Sequence, residues 1–264
     1  MQFASLGSGS KGNATLVAAG KTVLLVDCGF GRRETEYRLQ RRGVAPADIS
    51  AILVTHEHGD HASGVAALSK AHNIPVYLTH GTAASGKVDG ARKMVKINAG
   101  DAFDIGDITV CAVPVPHDAR EPVQFRFSHR DISLGILTDL GSITPHVVAA
   151  FSACTGLLLE FNHDTHLLSV GPYPPTLKRR VGGDYGHLNN RQAAEFLAAT
   201  DTSRLRALVA GHISQQNNSP ESARAAVASV AASLPCDVVY ACQGDGFAWL
   251  DLSDAAVLSV AATA

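Results

Sequence analysis

Residues Ala51 to Gly64 read AILVTHEHGDHASG, and the character of the chain changes in the middle of this stretch. Ala51 to Val54 form a plain apolar strand, and His56, His58, Asp60 and His61 follow at HxHxDH spacing. In extended chain, residues two apart point to the same side, so His56 and His58 can present their imidazoles to one cation. Asp60 and His61 stand where HASGVAALSKA begins to read as helix, and the turn can swing them toward a second cation nearby. A solvated turn that happens to be rich in histidine is the competing reading. It fits poorly with three histidines and an aspartate set between an apolar strand and a small-residue helix. A metal-binding run is the better account.

Working outward, further strand-like runs recur: ATLVAAG, TVLLVDCG, IPVYLTH, ITVCAVPVPH, ISLGILTDLG, TGLLLEF, LRALVAGH and CDVVYACQ. Three of them stop at a metal-capable side chain, His117, Asp139 and His212, so a common sheet edge can gather these residues with the histidine run. Helical patterns span Arg32 to Arg42, Ala62 to Ala71, Asn190 to Ala199 and Pro220 to Ser233, with Asn189 and Ser219 as caps for the last two. Turn signals between short strands predict a meander over 95–130. The fold class is α/β. We expect one four-layer domain over residues 1–264, with helices covering two packed mixed sheets. Gly7 to Gly12 satisfies GxGxxG, but a strand pair follows it where a dinucleotide site needs a helix. Those glycines remain suited to a loop that brings backbone close to a ligand.

With 46% hydrophobic residues in 264, the chain can bury a large core, and a net charge of -2 provides no global attraction to polyanions. The five cysteines are widely spaced and form no CxxC pair, which argues against a disulfide framework or a thiolate zinc site. The first twelve residues lack the features of a signal peptide, and no apolar run reaches membrane-spanning length. These features predict a soluble, cytoplasmic protein with no membrane partner.

The motif set resembles the metallo-β-lactamase superfamily, with Asp27 in LLVDCG as the acidic residue of the first motif, HxHxDH as the second, then His117, Asp139 and His212. The resemblance implies a four-layer αββα sandwich with two divalent metal ions, zinc or manganese with iron also suited, at one edge. By that likeness His56, His58 and His117 hold one metal and Asp60, His61 and His212 the other. Asp139 bridges the two, and Asp27 is structural. Two cations about 3.5 to 4 Å apart can share a water, lower its pKa and hold it as hydroxide, so hydrolysis is the implied reaction.

Later motifs narrow the substrate. GDYGHLNNRQAAEFLAA followed by LRALVAGHIS resembles the tRNase Z type phosphodiesterases, which makes His187 the candidate acid for the leaving oxygen and, with Asp60, a catalytic residue. FASLGSGSKGNATLV, LLLEFNHD, GPYPPTLKRRVGGDYGHLNN and GHISQQNN together resemble the bacterial YycJ (WalJ) group, which implies a nuclease with 5′ to 3′ exonuclease activity on DNA. Lys178, Arg179 and Arg180 form a basic cluster suited to phosphates, in a chain otherwise near neutral. Ser8, Ser10 and Asn13 can add donors from the glycine loop, Tyr173 can stack on a base or simply pack beneath the turn of Pro172, Pro174 and Pro175, and His163 lies at another strand end as a substrate-side or supporting group. The span from Asp139 to His212 is too short for the cap domain of β-CASP nucleases. A nucleic-acid substrate, DNA before RNA, is expected. The alternatives are a small-molecule thioester, ester or lactone hydrolase and a non-catalytic metal-binding regulator. Because the ligands are expected on a surface edge, replacing His58 or Asp60 should leave the fold largely intact.

Overall fold

The computed structural model describes residues 1–253. Strands β1 (Gln2–Gly7), β2 (Ala14–Ala19), β3 (Thr22–Val26), β4 (Ala51–Leu53), β5 (Pro75–Thr79) and β6 (Lys93–Ile97) belong to the first sheet. Strands β7 (Ala102–Ile105), β8 (Ile108–Pro114), β9 (Val123–His129), β10 (Ile132–Leu137), β11 (Gly156–Glu160), β12 (Ala207–Gly211) and β13 (Val238–Tyr240) make the second. The chain then returns as β14 (Phe247–Asp251) to the first sheet, whose order is β14-β1-β2-β3-β4-β5-β6; the second runs β13-β12-β11-β10-β9-β8-β7.

Alternation along the strands explains the layering. Leu24, Val26, Ala51 and Leu53 face Val110, Phe125, Phe127, Leu158 and Val209 in the core between the sheets. Their neighbours Leu25 and Ile52 point the other way, onto Leu39 of helix α1 (Arg32–Arg41) and onto Val65 and Leu68, both of which lie beyond the four-residue helix α2 (Gly59–Ala62) in α3 (Val65–His72). A short α4 (His80–Ala84) follows β5. On the far side Leu157, Leu159 and Leu208 pack on Val147 and Phe151 of α5 (Pro145–Phe151), on Phe196 of α8 (Asn190–Ala199) and on Val227 of α9 (Pro220–Ala228). Between α5 and α8 lie α6 (Thr165–Val170) and α7 (Pro175–Val181). Strands buried on both faces read as continuous apolar runs, which is why they stand out in the sequence.

The two expected caps form. Asn189 accepts from Gln192 N at 2.9 Å while the Gln192 side chain accepts from Asn189 N, and Ser219 accepts from Ser222 N at 3.0 Å. The last predicted helix is shorter than its pattern, giving way to a 3-10 turn at Ala231–Ser233. Strands β1 and β14 and helices α4, α5, α6 and α7 are additions to the sequence reading. The added helices are short, and α5 and α7 open on prolines in runs that otherwise read as turns.

Strands β3 to β6 are mutually parallel, as are β10 to β13, and β8 runs in the direction of β10 because two antiparallel steps separate them. The carboxyl ends of β3, β4, β8, β10, β11 and β12 are where Asp27, the histidine run, His117, Asp139, Glu160 and His212 emerge. Ligands of open α/β sheets gather at such ends.

Candidate active site

Leaving a strand sharply takes unusual backbone. Among the described residues six non-glycine positions have positive φ, and three of them, Asp27 (61°), Asp139 (54°) and His212 (51°), turn a strand end into the cleft. Such a conformation costs of order 1 kcal/mol per residue and persists only where surrounding contacts hold it. The contacts are there. Asp27 Oδ1 accepts from Thr55 N at 2.9 Å, and its Oδ2 accepts from the Thr55 hydroxyl at 2.9 Å and from His61 Nδ1 at 2.8 Å.

Three of the histidines spend one ring nitrogen on the scaffold and turn the other inward. His56 Nδ1 donates to Thr55 Oγ1 at 2.9 Å, His61 Nδ1 donates to Asp27, and His117 Nδ1 donates to the Gly186 carbonyl at 3.0 Å. These outer bonds select the tautomer and leave a lone pair for a cation. The inward atoms converge: His56 Nε2 and His117 Nε2 stand 3.0 and 3.2 Å from His58 Nδ1. Beside them Asp139 Oδ2 lies 3.0 Å from His61 Nε2 and 3.4 Å from His212 Nδ1, while Asp60 Oδ2 lies 3.5 Å from His61 Nε2 and 3.8 Å from His212 Nε2.

Two groups result, His56 with His58 and His117, and Asp60 with His61, Asp139 and His212, each offering donor atoms within 4.8 Å of one another. Asp139 reaches both, since its Oδ1 is 3.9 Å from His117 Nε2. Its Oδ2 is buried and makes no hydrogen bond. An orphaned carboxylate oxygen among converging imidazole nitrogens fits a cation better than it fits an ordinary polar core.

The electrostatics point the same way. Burial, and next His61, push His56 well below the usual histidine range, and burial lowers His117, so both keep lone pairs at neutral pH. Burial opposes ionisation of Asp60 and Asp139, but it is outweighed by His61 beside Asp60 and by His212 and His61 beside Asp139, which hold both carboxyls well below their ordinary range. Burial likewise works against charge on His212, and Asp139, Asp60 and Glu160 overcome it, raising it to about 10.

Glu160 is one residue of the site that sequence reasoning missed. Its Oε1 accepts from His187 Nδ1 at 2.7 Å and from His212 Nδ1 at 3.0 Å, while Oε2 accepts from Leu140 N at 3.0 Å and Leu188 N at 3.2 Å. Burial raises the Glu160 pKa, but His187 and His212 outweigh it and hold the carboxyl at about 2. The signal was an acid ending a strand of pure leucine in TGLLLEF. Asp118 was also overlooked: it lies 3.5 Å from His117 Nε2 and binds the Arg180 guanidinium.

The cleft above these groups holds about 300 Å³ and is lined by Ser10, His58, Asp60, Tyr173, Arg180 and His187 among others. Several expected contacts are placed elsewhere. Ser8 Oγ accepts from His212 N at 2.8 Å and so supports the centre from behind. Asn13 closes the glycine loop through Gly9 N at 2.8 Å and lies 3.1 Å from His61 Nε2, while its backbone N–H donates to the Asp60 carbonyl at 2.7 Å. The glycine loop therefore positions the Asp60–His61 turn. Gly29 belongs to the same seam, where a Cβ would strike the Asp60 carbonyl.

Of the basic cluster only Arg180 enters the cleft, with Nη2 3.4 Å from His58 Nε2. Lys178 donates to the Ser169 carbonyl at 2.6 Å on another side, and Arg179 is exposed outside the cleft, because successive residues of α7 point in different directions. His163 is buried with Nδ1 unpartnered and does not line the cleft; burial lowers it to about 4. The surface-edge expectation is also corrected, since His56, His61, His117, Asp139 and His212 are all buried and only His58 and Asp60 are partly open.

A sequence profile of the β-lactamase superfamily domain matches residues 22–213. The chain belongs to the metallo-β-lactamase branch of that superfamily, and with this donor set it is a metal-dependent hydrolase. Among its relatives, exodeoxyribonuclease YycJ of Bacillus anthracis is 34% identical over 87% of this chain and 89% of its own length. Exodeoxyribonuclease WalJ of Streptococcus pneumoniae strain D39 is 34% identical over 83% and 84%. A ribonuclease Z of Mycobacterium sp. strain KMS is 27% identical over 61% of this chain and 66% of its own. In structure the chain is similar to the metallo-β-lactamase fold protein YhfI of Bacillus subtilis, with TM-score 0.73 and 16% identity over 95% and 99% of the two chains. Among the described residues no helix is long and apolar enough to cross a membrane.

Proposed function

We propose that this protein is a binuclear metal-dependent phosphodiesterase that degrades DNA from an end, in the 5′ to 3′ direction, as one catalytic unit in the cytoplasm. The observation that carries the reading is His187, which faces the same cleft as both donor groups while Glu160 grips its other nitrogen. His56, His58 and His117 would hold one divalent cation, Asp60, His61 and His212 the other, with Asp139 shared. Zinc, manganese and iron all suit such donors, and two such cations supply Lewis acidity and a water of lowered pKa.

The chain's own residues do the rest. Asp60, part-open to the cleft, accepts a hydrogen bond from the attacking water and orients it. Burial works against charge on His187, and Glu160 outweighs it, so the imidazole is raised above its ordinary value, which favours the protonated form that a leaving oxygen needs. That proton leaves Nε2 for the departing sugar oxygen, while Glu160 keeps the ring aimed. Arg180 meets a phosphate oxygen at the rim, and Ser10 lies alongside. The relatives' names favour DNA, and the ribonuclease Z likeness makes RNA the control.

The test is digestion of 5′- and 3′-labelled DNA and RNA by metal-reconstituted protein, with a thioester and a lactone alongside. DNA degradation from the 5′ end is expected. Asp60→Ala should abolish it, and His187→Ala should lower kcat about a hundredfold or more with little change in KM. Turnover of the thioester or lactone alone would refute the proposal.

A further inference from the structure

One histidine of the donor groups is held differently from the rest. His56, His61, His117 and His212 each give a ring nitrogen to a fixed acceptor, respectively Thr55, Asp27, the Gly186 carbonyl and Glu160. Among the described residues His58 has no such acceptor at hydrogen-bond distance. Its outward Nε2 meets Arg180 Nη2 instead, at 3.4 Å. A guanidinium can only donate, so Nε2 accepts here and the N–H of the uncharged ring lies on Nδ1. The inward side agrees. His58 Nδ1 stands 3.0 Å from His56 Nε2 and 3.2 Å from His117 Nε2, and both of those nitrogens are acceptors because their rings donate through Nδ1.

That tautomer cannot serve a cation. A ligand role takes the Nδ1 lone pair, so the N–H must stand on Nε2, where it meets Arg180 donor against donor. The exchange leaves the charge of the ring unchanged, since one proton leaves Nδ1 for water and another reaches Nε2 from water. An acceptor is close by. Asp118 Oδ1 lies 3.7 Å from His58 Nε2 and 3.3 Å from Arg180 Nη2, while its Oδ2 holds Arg180 Nε. An ion pair of this exposure contributes little to stability by itself. Its place is nevertheless fixed, because Asp118 directly follows His117 and its backbone N–H donates to the Tyr185 carbonyl at 2.9 Å.

We infer that Asp118 is a positioning residue shared by His58 and Arg180: it accepts the Nε2–H of His58 when that ring serves as a ligand, and in doing so releases Arg180 Nη2 to a phosphate. The Nε bond keeps the guanidinium anchored at the rim. One carboxylate thus couples metal retention to phosphate contact. The phosphate half rests on the phosphodiesterase reading above, whereas the His58 half stands without it.

The experiment measures zinc affinity in the absence of substrate, by competition with a chromophoric chelator, together with nitrogen NMR spectra of the His58 ring. In wild type the N–H should lie on Nδ1 in metal-free protein and on Nε2 in zinc-loaded protein. Asp118→Ala should weaken zinc about tenfold. Asp118→Asn should recover most of that loss, because the amide oxygen still accepts. Arg180→Ala should leave zinc affinity within about twofold of wild type, or tighten it, since it removes only a competing donor. Equal weakening in Asp118→Ala and Arg180→Ala would make the pair a mere support and overturn the inference. Unchanged zinc affinity in Asp118→Ala, or an N–H on Nε2 in both states, would overturn it too. A protein that follows the expected order yet cuts no phosphodiester would uphold the role at His58 and overturn the phosphate half with the nuclease reading, so the two fail separately.

Discussion

The two sheets furnish the cleft in different ways. The first gives four donor residues from one turn, His56 to His61, and fastens that turn with Asp27, Thr55 and the backbone of Asn13. The second gives one residue from each of four strand ends, His117, Asp139, Glu160 and His212, which come level only because β8, β10, β11 and β12 point the same way. The first half is a local motif held by a few bonds. The second depends on register, and Glu160 is its hub, since one carboxylate holds two histidines and two backbone amides. Damage should therefore stay local in the first half and spread in the second.

The largest effect expected is within the local half. In metal-free protein His61→Ala removes the imidazole that stands 2.8 Å from buried Asp27 and 3.0 Å from buried Asp139, and should cost about 3 to 5 kcal/mol of unfolding free energy in urea. His58→Ala, part-exposed, should cost less than about 1 kcal/mol. Equal losses would erase the distinction between buried and open ligands.

Next is a pH effect behind the second half. His163 has a folded-state pKa of about 4 against about 6.5 when unfolded, so the unfolded chain binds more protons between these values. Its contribution is complete above about pH 6.5 and is lost as pH falls toward 4, by about 2 to 3 kcal/mol. His163→Gln should flatten that part of the unfolding free energy measured between pH 7 and pH 4.5; a profile parallel to wild type would place the titration elsewhere.

Glu160→Gln keeps the shape and removes the charge. Activity and metal content, read by turnover and by elemental analysis after dialysis, should each fall about ten- to a hundredfold, as for other groups that orient ligands. A fall in turnover alone would confine Glu160 to His187. The smallest effect separates neighbours on α7: Arg180→Ala should raise KM for a DNA end about tenfold, while Lys178→Ala should change it by less than about twofold. Similar shifts would mean that the cluster acts as diffuse charge.

Much of this was readable beforehand, and the reasons are particular. HxHxDH is contiguous, so its meaning survives without a fold, and β4, β10, β11 and β12 announce themselves because strands buried on both faces are unbroken apolar runs. His117, Asp139 and His212 were visible as polar ends to such runs. Glu160 was equally well placed, but a lone acid after leucines resembles any strand end until His187 and His212 are seen on it. The Lys178 to Arg180 cluster misled because sequence adjacency on a helix sends side chains to different sides.

The sequence by itself determined the α/β class, the layering, and the chemical type of nearly every donor in the cleft, because those follow from local periodicity and residue type. Only the tertiary structure decided that Asp139 lies between two donor groups, that Ser8 and Asn13 face inward as supports, and that Asp118 lies beside both His58 and Arg180. Those facts depend on strand register and on turns with positive φ at Asp27, Asp139 and His212, where contacts between distant segments choose a backbone that local preference disfavours.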